Sequence, residues 1–365
     1  MKKTAKKSTP SVPSSNKIIV NQFKKTLNEK LTPVLNAISV YQATVQDGML
    51  LLRSLQETQG KRRTPHKQVN LLLVVPNEEE LHGIDELRLE ESFRHLTKDV
   101  SVVPYDHPSL GSIGSHSMGE NDLILVVGGA KSLPLESAAA LKASPARRAL
   151  WLSDDAGPTE EDRSLAPMFD YVFTQRAAHL PVYRSLTEAP CRCLPFPADT
   201  GVYAPKQVGL PYRSDVLLLG DAEPDGPTAA FVRSGGLSER RARAYGEGWG
   251  RLDASILPIP TEEELADYCN GAAIVINCSA SVRRVLDVSA CGAFQLVEDR
   301  LRASDPEWGE PWVTFGAPDE LADKFEFYWT NVEIRRLAAT RALTAVKYDH
   351  SFLQKGIELL NAVFG

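Results

Sequence analysis

Residues 272–297 read A-A-I-V-I-N-C-S-A-S-V-R-R-V-L-D-V-S-A-C-G-A-F-Q-L-V, and the fold follows from how that run is parsed. Ala272, Ala273, Ile274, Val275 and Ile276 form an unbroken apolar run, as expected of a strand covered on both faces. Asn277, Cys278, Ser279, Ala280 and Ser281 are small or polar and suit a tight turn with a helix N-cap. Val282, Val285, Leu286 and Ser289 then share one helical face, and Arg284 and Asp287, three apart, project near each other. Gly292 stops the helix, and 293–297 resumes an apolar strand. A strand, a turn, a helix and a second buried strand make a parallel α/β unit. In such sheets the helix N-terminus just past a strand end binds anionic phosphates.

The same alternation extends in both directions. Residues 69–75, 100–103, 123–127, 149–152 and 171–173 read as strands, with helices over 78–96 and 137–141. After a proline- and glycine-containing crossing at 205–213, strands are expected at 216–219, 243–245, 273–276 and 294–297. Thr261 and Glu264 have the spacing of a capping box opening a helix over 262–270. Further helices are read at 319–330, 332–346 and 351–363. The fold class is α/β: two Rossmann-like domains facing a cleft, at 66–205 and 206–330, with C-terminal helices at 331–365 packing back across them. Ahead of them lie a Lys-, Ser- and Pro-rich tail at 1–16, expected to be disordered, and a helical extension at 17–60. In the extension Val20, Phe23, Leu27, Leu31, Leu35 and Ile38 recur every three or four residues, and Pro33 divides or kinks it. Two readings stay open for it: a helical hairpin packed on the body, or a surface for self-association or a partner protein.

Composition narrows the function. The chain has 365 residues, 43% hydrophobic and 24% charged, enough for two ordinary domains. A net charge of −6 argues against a general nucleic-acid surface. No apolar run approaches the ~20 residues of a membrane span, and the lysines of 1–7 are not followed by the apolar core of a signal peptide. Five scattered cysteines fit a reducing, cytoplasmic setting. P-loop and G-x-G-x-x-G fingerprints are both absent from the chain, which argues against a nucleoside triphosphatase or a dehydrogenase.

Several segments, in order, resemble the CgeB-like glycosyltransferases, which have the GT-B fold. R-V-L-D-V-S-A-C-G-A-F at 284–294 resembles their R-x-F-E-x-x-A-C-G segment. Trp151-Leu152-Ser153-Asp154-Asp155 is similar to their strand ending in a pair of aspartates. F-D-Y-V-F-T at 169–174 resembles Y-D-x-V-F-T. Residues 194–205 resemble the L-P-x-A-x-D and Y-x-P elements that close the first domain. D-V-L-L-L-G at 215–220 resembles the opening strand of the second domain, Y-G-E-G-W at 245–249 the Y-G-x-G-W motif, and Tyr348-Asp349-His350 a shortened Y-x-x-H. The resemblance runs from about residue 150 to the end. It implies an enzyme that moves a sugar from a nucleoside-diphosphate sugar to an acceptor of unknown identity, with no metal and no separate cofactor. The alternative is a non-catalytic binding or scaffold protein on the same fold.

On that reading, Gly220 at a strand end lets a phosphate or acceptor approach the backbone. Ser279 and Ser281 belong to the phosphate turn, and Arg283 or Arg284 is the cation that neutralises the departing diphosphate. The blander reading makes the serines a simple N-cap and the arginines surface residues. Asp287 stands where related enzymes carry the second glutamate of an E-x7-E motif, which holds the ribose hydroxyls; the first glutamate's place is Ser279, so the stereochemical outcome is open. Tyr245 and Trp249 can stack on a base or sugar, or pack in the core. The segment 221–227, D-A-E-P-D-G-P, lacks the arginine the family often has there. In the first domain, Gly128 and Gly129 can form an acceptor-facing loop, with His107 and His116 in another loop nearby in sequence. Asp154 or Asp155, at a strand end, is the candidate general base toward the acceptor hydroxyl, or else a helix cap.

Overall fold

A computed structural model describes residues 66–76, 86–107, 110, 118–128, 133–154, 157–279, 281–299 and 311–365. Residues 64–365 hold together as one compact unit. The tail at 1–16, the extension at 17–60, the start of the helix expected at 78–96, His116, Gly129 and Asp155 lie outside the described residues.

The first half runs β1 (Asn70–Val75), α1 (Glu86–Leu96), β2 (Asp99–Pro104), β3 (Leu123–Val127), α2 (Leu135–Leu141), β4 (Arg147–Trp151), α3 (Glu160–Leu165), β5 (Tyr171–Thr174), α4 (Leu180–Leu186) and β6 (Cys191–Cys193). Its strands form one sheet in the order β2-β1-β3-β4-β5-β6, every pair parallel. The second half runs β7 (Ser214–Leu219), α5 (Pro227–Arg233), β8 (Ala242–Tyr245), α6 (Trp249–Leu252), β9 (Leu257–Pro258), α7 (Leu265–Gly271), β10 (Ala272–Asn277), α8 (Val282–Ala290), β11 (Gln295–Glu298), β12 (Val313–Phe315), α9 (Pro318–Thr330), α10 (Val332–Tyr348) and α11 (Phe352–Phe364). Its sheet, again all parallel, has the order β12-β11-β10-β7-β8-β9.

Both sheets are buried on both faces, which is why their central strands read as apolar runs. Leu123, Ile124, Leu125, Val126 and Val127 are all fully buried, as are Ile274, Val275 and Ile276. Alternate residues of each strand feed different cores. Leu71, Leu73, Leu125 and Trp151 pack against α1 and α11 on one face of the first sheet. Leu72, Val74, Ile124 and Leu150 pack against α2, α3 and Tyr183 on the other. In the second sheet Leu217, Leu219 and Val275 meet α7 and α8, while Val216, Leu218, Ile274 and Ile276 meet α5 and α9.

The chain crosses between the two halves twice. At the first crossing, the Trp151 indole donates to the Leu194 carbonyl (2.7 Å) and the Phe196 amide donates to the Gln175 side chain (2.6 Å). A few residues on, Asn270 donates to the Ala204 carbonyl and accepts from the Lys206 amide. The second crossing lies between α10 and α11. Val346 on α10 belongs to a core of the second sheet, whereas Phe352, Leu359 and Leu360 on α11 belong to a core of the first. Gly356 lets α11 settle on α1: a Cβ there would come within 2.8 Å of Leu96.

One local expectation fails. The helix placed at 262–270 begins only at Leu265, and Glu264 makes no side-chain cap. Two of the three carboxylates of that turn are taken elsewhere: Glu264 accepts from the Tyr212 hydroxyl (3.3 Å) and Glu262 from Arg284.

Candidate functional site

In each sheet the chain leaves a central strand toward one edge and later returns to build the other. The reversal lies between β1 and β3 in the first sheet and between β7 and β10 in the second. Such reversals open a crevice at the carboxyl ends of the strands. In the second sheet it is a cleft of about 300 Å³ lined by Leu219, Gly220, Asp221, Glu223, Tyr245, Gly246, Cys278, Ser279 and Arg284. Clefts that take small ligands start at roughly this size.

Its floor is backbone packed on backbone. Gly220 and Gly246 both have positive φ, +109° and +134°. A Cβ on Gly220 would lie 2.6 Å from the Ser279 amide nitrogen, and one on Gly246 would lie 2.2 Å from the Gly220 carbonyl oxygen. Gly220 is therefore required for the strand ends to close on each other, and the freedom expected to admit a phosphate is partly spent on that fit. The Trp249 indole donates to the Gly220 carbonyl at 2.7 Å from a fully buried position, so Trp249 fixes the floor and is no stacking platform. Tyr245 is half-buried at the rim, with its hydroxyl donating to Glu262 at 3.3 Å. Ser279 donates its hydroxyl to Asn277 Oδ1 (2.6 Å), and its amide points to the same oxygen (3.2 Å). Asn277 in turn donates to Gln295, and Gln295 to Ser289, a buried polar line beneath the turn. Ser281 is the N-cap of α8, accepting from the Arg284 amide at 3.2 Å.

The cation of the cleft is Arg284. Its guanidinium donates to the Tyr203 hydroxyl (2.9 Å) and to Glu262, lies 5.6 Å from the Tyr245 ring centroid, and reaches to 3.7 Å from Asp287. Burial alone would lower its proton affinity, but Tyr203, Glu262 and Asp287 raise it further, so the charge is permanent. Arg283 does not line the cleft; it pairs with Asp287 at 3.8 Å. Asp287 departs from expectation most. Its side chain is 2% exposed and does not line the cleft, so it offers no surface to a ribose. It accepts from the Asp199 amide, and its Oδ1 has no hydrogen-bond partner. Burial pushes its pKa up to about 6 against the pull of Arg283 and Arg284.

Around the corner, Glu223, Asp225, Glu298, Asp299 and Gly316 line a second, acidic cavity of about 610 Å³. Among the described residues no group of three His, Cys, Asp or Glu side chains is placed to hold a metal ion. No described helix is long and apolar enough to cross a membrane.

In the first domain, Asp154 follows β4 as expected, but its surroundings speak against a general base. The side chain is fully buried. It accepts from the Thr174 hydroxyl (2.6 Å), the Gln175 amide (2.8 Å), the Tyr183 hydroxyl (2.8 Å) and His179 Nδ1 (3.1 Å). Burial raises its pKa, yet the bonds from His179, Gln175, Thr174 and Tyr183 outweigh that and hold it below the usual carboxylate range. A carboxylate so satisfied has neither the basicity nor a free lone pair for a substrate proton. It does not cap a helix either: α3 is capped by Thr159, in a reciprocal box with Asp162. Gly128 (φ +107°) sits against Pro76 and Tyr105, where a Cβ would approach both to 2.9 Å. His107 is exposed and ends a turn from Pro104.

Three side chains that contact the candidate residues escaped the sequence reading: Tyr203, Glu262 and His179. The spacing of His179 and Tyr183, four apart at a helix start just beyond a strand ending in Thr174, was the available signal for the third.

Residues 229–361 match a family model described as glycosyl transferase-like. No curated protein matches the chain. Among solved structures, HepE of Anabaena in complex with UDP superposes with a TM-score of 0.53 at 11% identity, over 80% of this chain and 99% of its own. HepE in complex with UDP-glucose gives 0.52 at 12%, over 81% and 100%. Sucrose-phosphate synthase from Thermosynechococcus elongatus gives 0.53 at 10%, over 81% and 98%. A glycosyltransferase from Rickettsia africae gives 0.52 at 12%, over 82% and 98%. At these identities the likeness is one of fold. The chain has the GT-B fold of two parallel α/β domains facing a cleft, and the stretch that matches the glycosyl transferase-like model runs from within α5 of the second domain into α11, leaving β7 outside it.

Proposed function

We propose that this protein is a glycosyltransferase that moves a sugar from a nucleoside-diphosphate sugar to an acceptor hydroxyl, with the donor's diphosphate in the cleft between β7 and β10. The observation that carries this reading is the position of Arg284. It is a permanently charged guanidinium on the first turn of α8, lining a cleft at the strand reversal of a GT-B domain. As the bond from the anomeric carbon to the diphosphate breaks, negative charge gathers on the leaving oxygens. The Arg284 guanidinium, on the first turn of α8, is placed to stabilise it. No step drawn in this way calls on a metal. Tyr245 at the rim is the surface for the nucleoside. The ordered motifs from about residue 150 to the end support a CgeB-like member of this class. Five free thiols suit a reducing cytoplasm. HepE, solved with UDP and with UDP-glucose, makes uridine donors the first to test.

Calorimetry and hydrolysis assays against UDP-, GDP-, ADP- and TDP-sugars test the reading. Binding of at least one is expected; folded protein that binds none of them overturns it. A second reading, a scaffold on this fold, is favoured by one observation: Arg284 is already paired with Glu262 and Tyr203, and Asp221 and Glu223 share the rim. The same calorimetry separates the two.

A further inference from the structure

Asp154 does not remove a proton, but it prepares a neighbour to do so. All the other groups around it are donors: a threonine hydroxyl, a backbone amide and a tyrosine hydroxyl. An anionic carboxylate has no proton to give, so the contact with His179 Nδ1 requires the proton to sit on Nδ1. In the neutral ring that fixes the tautomer and puts the lone pair on Nε2. Nε2 has no hydrogen-bond partner among the described residues, and it is not among the buried unpartnered atoms either; the side chain keeps 11% of its surface exposed. Thr174 and Tyr183 already tie the end of β4 to β5 and α4 through the same carboxylate oxygen. A purely structural tie has no need of an imidazole with one nitrogen bare. The ring stands beyond the carboxyl ends of β4 and β5, on the same side of the sheet as the crevice at the β1/β3 reversal.

We propose that His179 is the general base that takes the proton of the acceptor hydroxyl, and that Asp154 is its positioning residue. The assignment rests on the sugar-transfer reading given above. In the step, the acceptor oxygen forms a bond to the anomeric carbon as its proton passes to His179 Nε2. The bond from that carbon to the diphosphate oxygen breaks, and its electron pair leaves with the diphosphate. The imidazolium, held by the Asp154 carboxylate, then returns its proton to solvent. One glycoside, one nucleoside diphosphate and one proton result.

The test uses the full chain as wild type, His179→Ala, His179→Gln and Asp154→Asn, with whichever nucleotide sugar of the panel the wild type binds, UDP-glucose first. Release of the nucleoside diphosphate to water, and donor affinity by calorimetry, are the readouts. Both His179 variants should bind donor like wild type and turn over roughly 100- to 10,000-fold more slowly, the usual contribution of a positioned base. Asp154→Asn can offer Nδ1 an amide nitrogen in place of an oxygen, so the ring is no longer held in the right tautomer and kcat should fall while KM for the donor stays at the wild-type value. Turnover by His179→Ala equal to wild type overturns the assignment, and an unchanged kcat in Asp154→Asn overturns the positioning role. Diethyl pyrocarbonate labelling of the wild type, located by mass spectrometry, covers the case of variants that do not fold. His179 should be modified with loss of turnover, and failure to label it while His107 labels means Nε2 is closed and the proposal wrong. If the wild type binds no nucleotide sugar, it is the sugar-transfer reading that fails, and this assignment goes with it.

Discussion

Arg284 stands among neighbours that compete for one charge: Glu262, Tyr203, Asp287 and the face of Tyr245. If a diphosphate is its partner in the loaded state, Glu262 is the competitor it displaces. Arg284→Ala should weaken nucleoside-diphosphate binding roughly 10- to 100-fold, since a charge-assisted contact is worth about 1.5–3 kcal/mol. Glu262→Gln should tighten it about 2- to 5-fold, because a half-exposed ion pair is worth no more than ~1 kcal/mol. Calorimetry reads both, and a looser Glu262→Gln complex would contradict the competition. Asp287 makes a prediction of a different kind. With its pKa raised to about 6, the folded chain keeps a proton between pH 4 and 6 that the unfolded chain has released. Stability therefore falls as pH rises through that window, by about 3 kcal/mol in all at pH 7. Asp287→Asn cannot ionise and should lack that slope, so urea melts of variant and wild type should diverge from pH 4 to pH 7 in the variant's favour. Curves that stay parallel would show that Asp287 is not strained by burial. The sequence showed Arg284 and Asp287 as neighbours on one helix, and they are. It could not show that one faces the cleft and the other the core, because that depends on where Asp199 and Tyr203 arrive from far along the chain.

The elements that were legible in advance are the long or wholly apolar ones. β1, β3, β7, β10 and the helices α9, α10 and α11 lie within a few residues of their expected places. The missed strands β6, β9 and β12 have only 3, 2 and 3 residues and stand at sheet edges. With one face or none buried, they carry no run of apolar residues to read. The short helices α3, α4 and α5 escaped for a related reason: six or seven residues show less than two turns of periodicity. The expected cap at Thr261 and Glu264 failed because carboxylates of that turn found Tyr212 and Arg284, partners that local spacing cannot reveal. The helix α11 tests how far a terminal element belongs to the body. Leu359 and Leu360 are fully buried in the first domain's core. Leu360→Ala should cost about 2–5 kcal/mol of stability, as leucine truncations in filled cores do. Thermal melts check it, and a loss below 1 kcal/mol would mean that α11 is only loosely docked.

At the scale of the whole molecule, the two-domain α/β architecture followed from strand–helix alternation, and the sheet order did not. Alternation shows that strands are parallel, while their order depends on which side each helix takes. Among the described residues, all four cores are filled from Val69 onward. Deleting residues 1–60 should thus spare nucleotide binding. The apolar face read in 17–60 predicts that the deletion changes the mass seen by light scattering, and unchanged mass would refute that role. The two crossings between domains carry a mechanical consequence. The first is held by one domain up to Phe196 and by a core of the other from Ala198, leaving Pro197 as its joint. Proline fixes one of the few torsions that remain. The second crossing has its joint near residues 349–351, between α10 and α11. Two joints define a line, so the domains are hung like a door on two pins. They can swing about that line, while twisting and sliding are resisted. Spin labels on the outer helices α2 and α5 should report a narrow spread of distances that shifts as a single population when donor is added.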